Sequence, residues 1–137
     1  MKQTKGFTLI ELLVVISIIG VLLAIGTANF VTAQRQARDS NRRQLIGNVQ
    51  AAMEQYYAVN GNVYPSSAVE LGTAFDNNSI PVDPKNSGSY VISWNYSTTA
   101  YCICALLEAG SGNANAPGGT SCNWNSGGTY YCAANKQ

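Results

Sequence analysis

The chain has 137 residues, enough for one domain beyond an N-terminal apolar segment. Charged residues make up 11% of it and the formal net charge is +1, so bulk charge favours neither nucleic acid nor an anionic membrane surface as a partner. The sequence contains no histidine and its few acids are scattered, which removes the commonest general base and metal ligand. We therefore expect no enzyme, no resident metal and no cofactor.

The most distinctive stretch is the apolar run of residues 7–28, in which Glu11 is the single ionisable side chain. At helical rise this run is ~33 Å long, enough to cross the hydrocarbon core of a bilayer. A carboxylate in such a helix costs roughly 2.5–3.5 kcal/mol at the bilayer centre and less near its edge. We therefore expect Glu11 to have a partner.

Two interpretations of this N-terminus compete. An ordinary secretory signal would use Lys2 and Lys5 as its basic region and would be cut near residues 24–28, which would make the protein a secreted surface binding module. Against that reading, the apolar run is long for a signal peptide, and helical periodicity continues beyond it.

The residues Lys5-Gly6-Phe7-Thr8-Leu9-Ile10-Glu11 resemble the prepilin processing motif of type IV pilins and type II secretion pseudopilins. The resemblance implies that a prepilin peptidase removes residues 1–6 by cutting between Gly6 and Phe7, that Phe7 is N-methylated, and that Phe7 and Glu11 act in assembly. It implies a precursor in the cytoplasmic membrane and a homo-oligomeric helical filament at the cell surface, built by pilus assembly machinery. No specific nucleic acid partner is expected.

A single long helix is predicted for residues 7–60, with residues 7–28 as its transmembrane or filament-core half. Beyond the apolar run, one helical face is marked by apolar residues three and four positions apart: Ile46, Val49, Met53 and Tyr56. The first proline is Pro65, and Asn60-Gly61 is a typical helix stop. The sequence leaves open whether the helix melts around residues 26–28, where the family usually has a proline.

Charge is concentrated just after the apolar run, at Arg35, Arg38, Asp39, Arg42 and Arg43. Their spacing predicts Arg35–Asp39 and Asp39–Arg43 pairs one helical turn apart. We interpret the cluster as a solvated collar near lipid head groups, with pairing between neighbouring subunits as the alternative. Nucleic-acid binding is disfavoured because no aromatic residues are interleaved with the arginines.

The remaining residues, 61–137, are predicted to form an extracytoplasmic head. Alternating apolar residues predict a strand at 90–96, with an antiparallel partner at 101–107 and a short third strand at 129–132. A weak helical pattern lies at 66–75, and 110–119 is predicted to be a flexible loop. The fold class is therefore α+β, with the outer half of the long helix packed on a small antiparallel sheet, as in the pilin fold.

The four cysteines, Cys102, Cys104, Cys122 and Cys132, predict two disulfides in an exported chain. Cys102 and Cys104 lie on one side of the same strand, so we expect each to bond to Cys122 or Cys132, in an order that the sequence leaves open. The spacing does not match structural zinc sites. A calcium site formed by Asp76, Asp83 and Glu108 is disfavoured because no loop signature accompanies these acids.

The resemblance leaves two related functions open. A structural subunit of a type IV pilus, used for adhesion, motility or DNA uptake, is the first. A pseudopilin of a type II secretion or competence system is the alternative, since Tyr64-Pro65 and Asp83-Pro84 resemble features of that branch.

Overall fold

The computed structural model describes residues 6–75 and 78–136, except for the side chains of residues 27 and 28. The chain forms two compact units, Met1–Gln34 and Arg35–Gln137. Its elements in order are helix α1 (Leu9–Val59), helix α2 (Ala68–Thr73), and strands β1 (Ser93–Tyr96), β2 (Tyr101–Leu106) and β3 (Tyr130–Ala134). The predicted α+β class is confirmed.

The first unit consists of the N-terminal part of α1, which is continuously helical through residues 26–28. This part contains an 18-residue window of mean hydropathy 2.8 that is not buried, and it is long and apolar enough to cross a membrane. Its large apolar residues between Leu9 and Ile25 are all exposed, by 49% to 88%. Such a surface must be covered by lipid or by protein.

Helix α1 ends at the predicted stop. Gly61 has a φ of 71°, and the N–H of Asn62 donates to the carbonyl of Tyr57 at 3.1 Å. This is the Schellman arrangement, in which a residue in the left-handed region lets the chain turn back on the last helical turn. The chain is thereby redirected at Asn62 towards α2 and the sheet.

The three strands form an antiparallel sheet in the order β1-β2-β3. A four-residue loop, residues 97–100, joins β1 to β2, and the N–H of Ser97 donates to the carbonyl of Ala100 at 2.8 Å to close it. All of β2 is buried except Leu106, as expected for the central strand.

The outer half of α1 packs on this sheet through one continuous core. The buried members from α1 are Ile46, Val49 and Met53, and those from the rest of the unit are Tyr64, Leu71, Ile92, Tyr101, Ile103, Ala105 and Ala133. The predicted helical face is confirmed for Ile46, Val49 and Met53. The prediction for Tyr56 was wrong by one position, because Tyr57 packs against the core and stacks on Tyr64 at 4.6 Å.

Two predicted segments differ in detail. Strand β1 begins at Ser93 rather than at residue 90, because a turn closed by the N–H of Tyr90 and the carbonyl of Ser87 precedes it. The loop at 110–119 is anchored rather than free: Ala114 is fully buried and bridges both Trp124 and Tyr130.

Candidate functional site

The start of α1 holds the carboxylate that the sequence singles out. Oε2 of Glu11 accepts hydrogen bonds from the backbone N–H of Thr8 at 2.8 Å and from its hydroxyl at 2.7 Å. Oγ1 of Thr8 in turn accepts the N–H of Glu11 at 3.3 Å. This reciprocal pattern is a capping box, which satisfies N–H groups that a helix start leaves free. The partner of Glu11 within one chain is therefore the N-terminus of its own helix.

The predicted processing residues lie beside this capping box. Gly6 and Phe7 immediately precede Thr8, and the Phe7 side chain is 90% exposed. The rest of the predicted leader, including Lys2 and Lys5, lies outside the described residues. A site cut by a separate peptidase requires an accessible bond next to its recognition residues, and the exposed placement of Gly6 and Phe7 is compatible with that.

A second polar site lies in the Arg35–Gln137 unit, centred on Arg42. Its guanidinium is 1% exposed and bonds to three carboxylates: Asp83 at 2.7 and 3.0 Å, Asp39 at 2.9 Å and Glu108 at 2.9 Å. Arg38 adds a bidentate pair to Glu108 at 2.6 and 2.7 Å. We call these five residues the Arg42 network.

Backbone groups complete the Arg42 network. The Asp39 carboxylate accepts the N–H groups of Glu108, Ala109 and Gly110 at 2.8 to 3.1 Å. Burial by itself would raise the pKa of the Asp39 and Asp83 carboxyls, but these hydrogen bonds and Arg42 outweigh it, so both pKa values are lowered. The hydrogen bonds from Arg38 and then Arg42 lower the pKa of Glu108 to about 2.

The prediction of a solvated collar is therefore wrong for three of the five clustered charges. Asp39 and Arg42 are buried, Arg38 is partly buried, and all three bind within the head. Neither predicted pair, Arg35–Asp39 or Asp39–Arg43, is among the ion pairs of the described residues; Asp39 pairs with Arg42 instead, three positions along the helix. The reason is that tertiary partners from two loops outcompete the local ones.

The acids considered for calcium do partly converge. Asp83 and Glu108 lie close together because both form ion pairs with the Arg42 guanidinium, and Asp39 is the third carboxylate bound to it. Asp76 lies outside the described residues. The charge that gathers these acids is thus an arginine of the same chain.

The cysteines form two disulfides, Cys102–Cys122 and Cys104–Cys132. The structure supplies the order that the sequence left open. The four sulfur atoms lie within 4.8 Å of one another, and they form a compact second cluster around β2 and β3. Paired sulfurs are not thiolate ligands, so the closeness does not create a metal site.

Sequence reasoning missed the role of Glu54. Its carboxylate accepts the hydroxyl of Tyr101 at 2.8 Å, the hydroxyl of Tyr64 at 3.1 Å and the backbone N–H of Lys136 at 3.2 Å. Burial and this carboxylate raise the pKa of both tyrosines. A signal was present: Glu54 is the single charged residue between positions 44 and 59.

A long helix with an exposed apolar first half, whose outer half packs on a small disulfide-linked sheet, defines a pilin-like structural subunit. Comparisons with known proteins agree. The family described as the prokaryotic N-terminal methylation motif matches residues 1–27. The chain is 31% identical over 111 residues to the type IV wide pilus major component PilA4 of Thermus thermophilus. These residues make up 81% of this chain and 79% of that protein.

It is also 37% identical over 100 residues to the type IV narrow pilus major component PilA5 of the same organism, covering 73% of this chain and 79% of that protein. The chain belongs to the type IV pilin family. It shares 28% identity over 87 residues with the type II secretion system core protein G of Dickeya chrysanthemi, covering 62% of this chain and 55% of that protein. No solved structure matches the chain significantly.

Proposed function

We propose that this chain is the structural subunit of a type IV pilus filament that serves in adhesion, motility or DNA uptake. A prepilin peptidase removes residues 1–6, Phe7 is N-methylated, and the mature subunit rests in the cytoplasmic membrane. Pilus assembly machinery then transfers the N-terminal helix from lipid into a bundle of identical helices, and residues 61–137 with the outer half of α1 form the extracellular surface.

The observation that carries this proposal is the contrast between the two units. Between Phe7 and Val31 the large apolar side chains are exposed around the helix, whereas the Arg35–Gln137 unit contains a core of ten buried residues. The N-terminal helix is therefore the part of the molecule whose surface requires an apolar partner. A head-to-tail contact that does not close on itself builds an open helical polymer from such subunits.

Glu11 gives this transfer its selectivity. In a bundle, the α-amino group of Phe7 in one subunit and the carboxylate of Glu11 in a neighbour neutralise each other. A charge left unpaired in an apolar core is strongly disfavoured, so the pair acts as a check of register more than as a source of stability.

The test compares wild-type and Glu11→Ala chains in a host with a pilus assembly system. Mass spectrometry of the wild type should show a mature chain that begins at methylated Phe7. Electron microscopy should show filaments with the wild type and none with Glu11→Ala, while both chains remain in the membrane at equal levels. Ser17→Ala is the matched control, because it removes another polar group from the same apolar helix.

Two results would contradict the proposal. A mature chain beginning near Thr27 or Asn29 would indicate an ordinary signal peptide. Normal fibres from Glu11→Ala would show that the carboxylate does not check register.

A second candidate function is that of a pseudopilin in a type II secretion or competence system. The similarity to the secretion system protein G favours it, and so do Tyr64 and Asp83, which precede prolines and have structural roles here. Long surface filaments that can be retracted would favour the pilus. Loss of protein secretion when the gene is deleted would favour the pseudopilin.

A further inference from the structure

We infer that the four cysteines of the head form a binding site for one zinc ion when both disulfides are reduced. In the structure they are paired as Cys102–Cys122 and Cys104–Cys132. Paired cysteines are not ligands, so the site belongs to the chain before its cysteines are oxidised or after a reductant has opened them. The inference is independent of the pilus proposal.

The sulfur atoms lie close to the positions that a zinc ion requires. Four thiolates bind zinc as a tetrahedron with Zn–S distances of about 2.3 Å, which places the sulfurs about 3.8 Å apart. Here all four sulfur atoms lie within 4.8 Å of one another, and those of Cys102 and Cys104, which are not bonded to each other, are 3.5 Å apart. One edge of the tetrahedron is therefore formed in the oxidised chain. Once the S–S bonds are broken, rotation of the side chains can open the other pairs to a similar distance.

The strands hold three of the four cysteines together without help from the disulfides. Cys104 lies opposite Cys132 in the β2–β3 ladder, and Cys102 lies opposite Ala134. These positions place the three cysteine side chains on one face of the sheet. The side-chain amide of Asn113 also binds the carbonyl and the N–H of Cys132, at 2.9 and 2.7 Å, which fixes the backbone of that ligand.

The loop that carries Cys122 is anchored to the same sheet. The N–H of Trp124 donates to the carbonyl of Cys122 at 3.1 Å, and Ala114 forms bridges with both Trp124 and Tyr130. Ala114 is fully buried and belongs to the same cluster as the cysteines. Backbone hydrogen bonds therefore keep Cys122 near the other three when the disulfides are open.

This arrangement explains why the sequence does not reveal the site. Structural zinc sites are recognised by two pairs of closely spaced ligands, and the widely separated Cys122 and Cys132 do not form such a pair. The register of two strands and an anchored loop bring the ligands together instead. Proximity in the fold replaces proximity in the sequence.

The surroundings of the four sulfurs select a metal that prefers thiolates. The four cysteines are at most 8% exposed, and burial among apolar groups disfavours a free thiolate. A metal cation compensates by binding the thiolate directly, and thiolates favour zinc over the harder calcium and magnesium ions. Cys122, the most exposed of the four, marks the side from which an ion can enter.

Zinc binding and disulfide formation exclude each other. A dithiol that opens one disulfide supplies two electrons and two protons and becomes a cyclic disulfide itself. The four resulting thiols release their protons to solvent as they bind Zn²⁺, which leaves a complex with two negative charges. A disulfide-containing oxidant reverses this: two such molecules take up four electrons and four protons, both S–S bonds of the head form again, and Zn²⁺ is released.

The test uses the full chain in detergent micelles, reduced with a phosphine under argon. Cobalt(II) is the first probe, because tetrahedral cobalt bound to thiolates absorbs visible light intensely. We expect one cobalt per reduced chain, complete displacement by one equivalent of zinc, and no such absorption from the oxidised chain. Near-ultraviolet circular dichroism of the zinc-loaded reduced chain should match that of the oxidised chain, which shows that the metal occupies a folded head.

Cys122→Ser removes one ligand from the loop, and its zinc affinity should be roughly a hundredfold weaker than that of the wild type. Ser121→Ala is the matched control, because it changes the neighbouring residue, which is exposed, and should bind zinc as the wild type does. Competition with a chromophoric chelator measures the affinities. Cys104→Ser is the second ligand variant and should weaken binding to a similar extent.

Three results would overturn the inference. The first is a reduced wild type that binds less than one metal ion at saturation. The second is metal binding with loss of the near-ultraviolet signal, which would assign the metal to thiols of an unfolded head. The third is an unchanged zinc affinity in Cys122→Ser or Cys104→Ser. None of them bears on the pilus proposal, because neither peptidase nor assembly machinery takes part.

Discussion

Arg42 holds together parts of the chain that are far apart in sequence. Its carboxylate partners Asp83 and Glu108 are 41 and 66 positions away, in two loops, while Asp39 lies on the same helix. A buried ion pair contributes little when compared with an apolar replacement, but loss of one partner leaves uncompensated charge. The network therefore fixes which loops meet the helix rather than adding much to the free energy of folding.

Removal of Arg42 should destabilise the head strongly. In Arg42→Ala, three carboxylates remain clustered without their central cation, and we expect the free energy of unfolding to fall by about 3–5 kcal/mol. Arg35→Ala is the control, because Arg35 is exposed and should change stability by less than about 0.5 kcal/mol. Urea denaturation followed by near-ultraviolet circular dichroism measures both. Equal stability of the two variants would show that the buried network is not required.

The same residues predict how stability depends on pH. Unfolded acids titrate near about 4, whereas Arg38 and Arg42 lower the pKa of Glu108 to about 2. Because the folded pKa is depressed, the stabilisation is complete above about pH 4.5 and is lost as the pH falls towards 2. Unfolding measured at a series of pH values should show this decline, and Glu108→Gln should make it shallower. A slope unchanged in Glu108→Gln would contradict the assignment.

At the scale of elements, the sequence predicted the helices, the strands and the antiparallel β1–β2 pair, but not the contacts of side chains from distant segments. The spacing of Ile46, Val49 and Met53 predicted the buried face of α1. Alternation predicted a strand at residues 90–96, which contains β1. The strand was predicted to begin at residue 90 but begins at Ser93, because a turn closed between Ser87 and Tyr90 precedes it. Disulfide order and the Arg42 network depend on which distant segments meet, and local pattern carries no such information.

Glycines in two elements should respond oppositely to the same substitution. A Cβ on Gly47, in α1, would have no atom within 4 Å, so Gly47→Ala should stabilise the helix by about 0.5–1 kcal/mol. A Cβ on Gly128 would collide with the carbonyl of Ala114, so Gly128→Ala should destabilise by about 1–3 kcal/mol. Urea midpoints of the two variants should lie on either side of the wild type. A destabilised Gly47→Ala would show that the helix propensity of residue 47 does not determine the stability of α1 at that position.

At the scale of the whole molecule, the boundary that matters for folding lies within α1. The compact unit that begins at Arg35 contains both the outer half of α1 and residues 61–137, the predicted head. The outer half of α1 supplies three residues to the core, together with Arg38, Asp39 and Arg42 to the charged network. A head without that half-helix lacks one side of its core.

Two truncated chains test this boundary. Residues 35–137 retain the core, the Arg42 network and both disulfides, so we expect a soluble monomer that unfolds cooperatively in urea. Residues 61–137 keep the sheet and disulfides but expose the apolar face that Ile46, Val49 and Met53 cover, so we expect aggregation or non-cooperative unfolding. Analytical ultracentrifugation and near-ultraviolet circular dichroism distinguish the outcomes. A well-folded 61–137 would show that the sheet is stable without α1, and that the helix serves the N-terminal unit alone.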